Sequence, residues 1–174
     1  QKMITTKSIA IKICGLTNLE QALEISSLGV NAIGIIGVPN SPRYVKEAER
    51  RDILYNLSAN RPKLKRVWVI SNLKDVELEL ALKGDGTPTT IQLHGNESPE
   101  KCSILRQKYP AIEWWKAIRI RTEKDIQLAK RYENHVDNLL FDAWSNEKIG
   151  GTGEQIPLKL IKELNSSAPW WLAG

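Results

Sequence analysis

Short apolar runs of the kind that form strands alternate along the chain with longer stretches in which apolar residues recur every three to four positions. The runs begin near Ile9, Asn31, Leu64, Thr89, Ile112, Asp137 and Pro169, so seven strands are predicted. Helix-start signals lie between them. Thr17 with Glu20 reads as a capping box, Ser98 precedes Pro99 at a first helical position, and Thr122 with Asp125 repeats the first device. Strand alternating with helix predicts a parallel sheet with right-handed crossovers, either doubly wound or closed as a (β/α)8 barrel. No linker or composition break divides the chain, which reads as one domain over residues 1–174.

The polar positions within the strands favour the barrel. Lys12 with Cys14, Gln92 with His94, Trp114 with Lys116 and Leu140 with Asp142 each stand two residues apart, and residues two apart share a strand face. A strand covered by helices on both sides would be apolar throughout. A barrel strand turns one face into a lumen that becomes polar toward its C-terminal end, where sites of this fold are built. These four pairs are therefore expected to line the lumen.

Composition adds bounds rather than detail. A chain of 174 residues that is 41% hydrophobic and 26% charged is ordinary for a globular domain, and no apolar run approaches a membrane span, so no membrane partner is expected. The N-terminal "QKMITTKSIAIKIC" lacks a cleavable apolar segment, which predicts a cytoplasmic location. Cys14 and Cys102 lie far apart and neither has a metal-ligand neighbour, so neither a disulfide nor a metal site is expected. The net charge of +5 suits acidic partners. The basic run Arg61 to Arg66 is short and lacks interleaved aromatics, and we read it as a solvated loop rather than a nucleic-acid surface.

Residues able to do chemistry cluster at the predicted strand ends. Cys14 closes the first strand; Arg43 follows the second in "NSPRYV"; "QLHG" with Gln92 and His94 ends the fourth; Asp142 ends the sixth, followed by "GGTG". Cys14 has two readings: a small buried hydrophobe, or a base whose thiolate form is favoured by the Lys12 ammonium on its face. Lys12 itself could instead meet a substrate phosphate. Asp142, after the apolar "NLLF", reads either as an acid in a partly desolvated setting or as a loop cap. Arg43 offers a bidentate fork for a carboxylate on a stiff Ser-Pro-Arg loop. His94 could orient a substrate, and the backbone of Gly151 and Gly153 could approach an anion.

The series "KICGLT", "SPRYV", "QLHG", "KAI", "LLFDA", "GGTG" and the terminal "LAG" resembles, in order and spacing over residues 10–174, phosphoribosylanthranilate isomerase of tryptophan biosynthesis. The resemblance implies a (β/α)8 barrel that carries out an Amadori rearrangement on a phosphorylated small molecule without cofactor or metal. It implies Cys14 as general base and Asp142 as general acid. Lys12, Arg43, Gln92, His94, Gly151, Gly153 and Gly174 are implied as substrate-binding, with Arg43 on the anthranilate side. Two departures are visible. "IGIIGVPN" lacks the family's aromatic residue in the second strand, which predicts a smaller and softer wall, and "EQIPL" replaces a Phe-x-Trp pattern after "GGTG". The motif series also stops before an eighth strand, so the barrel is expected to be incomplete at its C-terminal end, with an open edge beside Trp170 and Trp171. That edge predicts a homodimer or association with other domains of the pathway. An inactive barrel piece acting through its edge, and another phosphosugar isomerase on the same fold, are the competing readings.

Overall fold

Three of the described helices start at a short polar side chain that takes up, alone or in a capping box, backbone N–H groups that the first turn leaves unpaired. In the computed structural model, which describes residues 9–143 and 156–173, Asn18 accepts from the N–H of Gln21 at 2.9 Å and opens α1 (Leu19–Ser27). The cap expected at Thr17 thus sits one residue later, because the asparagine reaches that N–H. Ser98 accepts from the N–H of Lys101 at 3.1 Å and, with Pro99, opens α4 (Pro99–Lys108). The Thr122 and Asp125 box heads α5 (Glu123–Lys130), with Asp125 accepting from the N–H of Thr122 at 2.8 Å. The other helices are α2 (Glu47–Asn60), α3 (Asp75–Ala81) and α6 (Leu158–Glu163). None is long and apolar enough to cross a membrane.

The strands are β1 (Lys12–Cys14), β2 (Ala32–Ile36), β3 (Lys65–Ile70), β4 (Thr90–Leu93), β5 (Glu113–Ile120), β6 (Asn138–Ala143) and β7 (Trp170–Leu172). They form one parallel sheet in sequence order. The sheet curls. Its inner apolar cluster joins Ala32, Val67, Trp115 and Leu140 to Cys14 on the first strand and Trp171 on the last. The outer face packs against the helices through two larger clusters, one centred on Ile33, Ile35 and Leu54 and one on Trp114, Ile118 and Phe141. Between β1 and β7 lies a cleft of about 590 Å³ lined by residues of both strands.

Glu113 closes the floor of the inner face. It pairs with Lys65 of β3 and accepts from the indole N–H of Trp115 at 2.5 Å and the amide of Asn138 on β6 at 2.9 Å. Above it, Trp115 stacks on Trp171 at 4.9 Å between ring centroids. Trp170 turns outward and packs on Phe141 at 5.7 Å. The two terminal tryptophans therefore stand on the last strand of the sheet, as expected, but on its opposite faces.

The inner phase of β5 runs through Glu113, Trp115, Ala117 and Arg119, which corrects the expectation for Trp114 and Lys116. Both face the helices. Lys116 is 2% exposed and donates to the carbonyls of Gly95 at 2.6 Å and Leu93 at 3.3 Å and to Glu97 Oε2 at 3.3 Å. Burial holds its ammonium below the ordinary lysine range, and Glu97 opposes that shift. Glu97 in turn accepts from the N–H groups of Asn72 at 2.7 Å and Gly95 at 2.9 Å, so the pair ties together the loops after β3 and β4.

On the helix side of β2 the space beside Gly37 is filled. A side chain on Gly37 would stand 2.1 Å from the indole nitrogen of Trp68, so the β3 tryptophan fills the space, and the Arg50 guanidinium lies 4.1 Å over its ring. After "GGTG", Ile156 is buried in the outer cluster with Leu160. The basic run has local work: Arg61 donates to Asn60 O at 2.9 Å and Ser26 O at 3.4 Å, where α2 and α1 end with unpaired carbonyls.

Replacing one member of the Lys116–Glu97 pair strands the other charge in the interior. Lys116→Met should cost about 3–5 kcal/mol in urea denaturation, and Lys116→Met with Glu97→Gln should recover most of that loss. Equal stability of the single variant and the parent would show that the pair does not hold the loops.

Candidate active site

The corner above β1 is shaped by two glycines. Gly15 continues the strand at φ +86°, a left-handed conformation that side chains rarely adopt, and its N–H donates to Gly34 O at 2.8 Å. A Cβ there would stand 2.2 Å from an Arg43 nitrogen, so the guanidinium lies against the turn, where it donates to Cys14 O at 3.1 Å. The loop that carries Arg43 is fixed at both ends. Ser41 N–H donates to Val38 O at 3.0 Å, and Val45 N–H returns to Ile36 O at 3.0 Å.

Gly34, on β2 beside Cys14, serves the second purpose. A Cβ at Gly34 would lie 2.6 Å from Cys14 Sγ and 3.3 Å from Lys12 Nζ. The thiol and the ammonium therefore converge on the space that this residue leaves open. Cys14 is half-buried, whereas Cys102 is sealed in the outer core, where burial pushes its thiol up to about 12. Only the first of the two is placed for chemistry.

Across the lumen, Gln92 follows Thr90 on the inner face of β4, and His94 follows Gln92. Gln92 is 3% exposed, and its Nε2 lies 3.3 Å from His94 Nδ1. Gln92 Oε1 and His94 Nε2 are buried and have no partner among the described residues. Burial, reinforced by the charges of Arg119, Lys116 and Lys12 and opposed by Glu97, lowers the His94 pKa to about 4, so the imidazole is neutral near pH 7. Arg119 is the residue that sequence reasoning missed. It follows Trp115 and Ala117 on the inner phase of β5 and pairs in register with Asp142 of β6. Asp142 itself follows Leu140, a member of the inner cluster, by two positions.

The structure thus brings Lys12, Cys14 and Arg43 into one corner, and sets Gln92, His94, Arg119 and Asp142 on the strands that face it. Lys116, expected in the same mouth, stands behind it. Gly151, Gly153 and Gly174 lie outside the described residues. Among the described residues, no group of three or more His, Cys, Asp and Glu side chains is placed to hold a metal ion.

Known proteins share the sequence and the fold of this chain. Residues 11–174 match the family model described as N-(5'-phosphoribosyl)anthranilate (PRA) isomerase. The N-(5'-phosphoribosyl)anthranilate isomerase of Nostoc punctiforme is 41% identical over 164 residues, which is 94% of this chain and 76% of that protein. The crystal structure of phosphoribosyl anthranilate isomerase from Thermotoga maritima superposes with a TM-score of 0.81 at 31% identity, covering 96% of this chain and 77% of that one. A structure of the isomerase in complex with reduced 1-(o-carboxyphenylamino)-1-deoxyribulose 5-phosphate is 32% identical, with a TM-score of 0.66 over 79% of this chain and 66% of that one. With the family model matched over residues 11–174 and the fold shared with a solved isomerase, the chain belongs to the N-(5'-phosphoribosyl)anthranilate isomerase family.

Proposed function

We propose that the mouth of this curled sheet rearranges N-(5'-phosphoribosyl)anthranilate to 1-(2-carboxyphenylamino)-1-deoxyribulose 5-phosphate in tryptophan biosynthesis, with Cys14 as general base and Asp142 as general acid. The observation that carries the assignment is the convergence of the Cys14 thiol and the Lys12 ammonium over Gly34, with the Arg43 guanidinium held on the carbonyl of Cys14. A proton acceptor and two anion-binding groups share one corner, while the carboxyl group stands on β6 across the lumen.

The chemistry fits those positions. Asp142 gives its proton to the furanose ring oxygen; the bond from that oxygen to C1' breaks as the aniline nitrogen's lone pair forms the Schiff base. Cys14 as thiolate takes the proton from C2', and those electrons form the C1'–C2' double bond and neutralise the iminium nitrogen. The resulting enolamine gains a proton at C1' and gives up the proton of its C2' hydroxyl, becoming the ketone. Arg43 offers the bidentate geometry that the anthranilate carboxylate requires, and Lys12 adds charge for a substrate that is anionic at both ends. The relative crystallised with the reduced product analogue supports a substrate of this class.

Cys14→Ala and Asp142→Ala should each lower kcat by about 10²–10⁴-fold with circular dichroism unchanged, measured by the loss of anthranilate-type fluorescence from fresh substrate. Turnover near that of the parent in either variant would refute that residue's role. Gly34→Ala probes placement rather than chemistry. Its methyl would press on Cys14 Sγ from 2.6 Å, and displacing the thiol should cost roughly 10²-fold in kcat while Arg43 still binds substrate.

A further inference from the structure

The rearrangement proposed for the mouth runs on a sugar carbon bonded to nitrogen, and the mouth holds an amine of its own. A Cβ at Gly34 would lie 2.6 Å from Cys14 Sγ and 3.3 Å from Lys12 Nζ, so a single point lies close to both atoms. The thiol and the amine stand no farther apart than those two distances added together. Both side chains are half-buried and line the cleft of about 590 Å³ between β1 and β7, which gives a small molecule access to them. Among the described residues Lys12 Nζ has no hydrogen-bond or ion-pair partner, whereas Lys65 is engaged by Glu113 and Lys116 by Glu97 and two carbonyls. Lys12 is therefore the amine left able to act as a nucleophile beside the thiol.

We propose that Lys12 is a site of covalent modification by open-chain aldose phosphates, with Cys14 completing the modification as base; this rests on the reading of Cys14 as the base of the mouth. The free amine attacks C1 of the aldehyde and the C1–N bond forms. The carbonyl oxygen takes one proton from the nitrogen and one from solvent and leaves as water, which gives a protonated imine. Cys14 as thiolate then removes the proton from C2, two bonds from Nζ, and those electrons form the C1–C2 double bond and neutralise the nitrogen. The enolamine gains a proton at C1 and gives up the proton of its C2 hydroxyl, leaving a stable ketoamine on Lys12. No oxidant or reductant is consumed. Charge and C2 set the class of reagent. The Arg43 guanidinium, held on Cys14 O at 3.1 Å, offers a phosphate its counter-charge beside the lysine, and C2 must carry both a hydrogen and a hydroxyl. Such a molecule is the proposed substrate without its anthranilate.

Incubation of the protein with ribose 5-phosphate at about pH 9, where free lysine amine is more plentiful, followed by peptide mass mapping, reads the site directly. Lys12 should acquire the ketoamine at least about tenfold faster than the exposed Lys63, the advantage that a positioned base supplies. Neutral ribose should narrow that ratio. In Cys14→Ala the ketoamine at Lys12 should fall to the rate of Lys63, while cyanoborohydride, which reduces the imine before a base is needed, should still label Lys12. 2-Deoxyribose 5-phosphate, without the C2 hydroxyl, should label Lys12 only when cyanoborohydride is present. Turnover by the parent should decay as the adduct accumulates. The residual turnover of Lys12→Arg, which keeps the charge without the amine, should not decay.

Ketoamine formed equally fast on Lys12 and Lys63 would overturn the site, an unchanged Lys12 rate in Cys14→Ala would overturn the role of the thiol, and an equal ratio with ribose would overturn the phosphate. All three are read on the protein itself. Adduct at Lys12 in a protein that does not convert phosphoribosylanthranilate would refute the isomerase reading alone, and conversion without adduct would refute the modification alone.

Discussion

The carboxylate of Glu113 at the bottom of the curled sheet sets the phase of everything above it. A charge on the inner face must be matched, and here Lys65 from β3, the indole of Trp115 and the amide of Asn138 from β6 converge on it. Those partners come from three strands, so the match is available only when β5 presents its odd-numbered residues inward. Side chains alternate with period two, so this one choice places Trp115 and Ala117 in the lumen, lifts Arg119 to the rim, and sends Trp114, Lys116 and Ile118 to the helices.

Lys116 shows what that phase requires on the other side. An ammonium turned into the outer core needs its hydrogens taken up, and the loop after β4 supplies Leu93 O, Gly95 O and Glu97. Asn72, at φ +50°, closes the arrangement by accepting from Asn96 N–H at 2.8 Å. The turn that carries His94 is thus held from beneath by a buried charge pair and from the side by the neighbouring loop. A site residue on a loop gains definition when its backbone is bound so closely to rigid elements.

Much of this was legible in the sequence, and the place where it was not has a physical cause. Six of the seven strand starts fall within a residue of their expected positions, because apolar runs bounded by turns and helix caps are local signals; the first falls later, at Lys12 rather than Ile9. Cys14 and Arg43 could be placed together because strand ends of a parallel sheet share one rim. β5 could not be phased. "EWWKAIRI" puts a tryptophan on each face and a charge on each face, so a slip of one residue leaves the alternation unchanged in character, and only the long-range partners of Glu113 and Lys116 break the tie. Arg119 was missed for that reason. The neighbour of Gly37 was out of reach for a related one: the tryptophan beside it comes from β3, more than two dozen residues away.

The charge around the mouth also bears on which side chains can move protons there. Lys12, Arg43 and Arg119 suit a substrate that is anionic at both ends, but the same positive field penalises any proton carrier whose working form is a cation. A histidine base must become an imidazolium when it takes its proton, and His94 is kept from doing so by its burial and by the charges of Arg119, Lys116 and Lys12. A thiol and a carboxyl group alternate instead between neutral and anionic forms, and a cationic surround favours the anion of each, which suits a thiolate base and leaves a carboxyl acid to be kept protonated by other means. For the proposed base at Cys14, the requirement to hold a doubly charged substrate and the requirement for an anionic proton acceptor therefore point the same way. The groups that bind the anion decide which residues remain able to act on it.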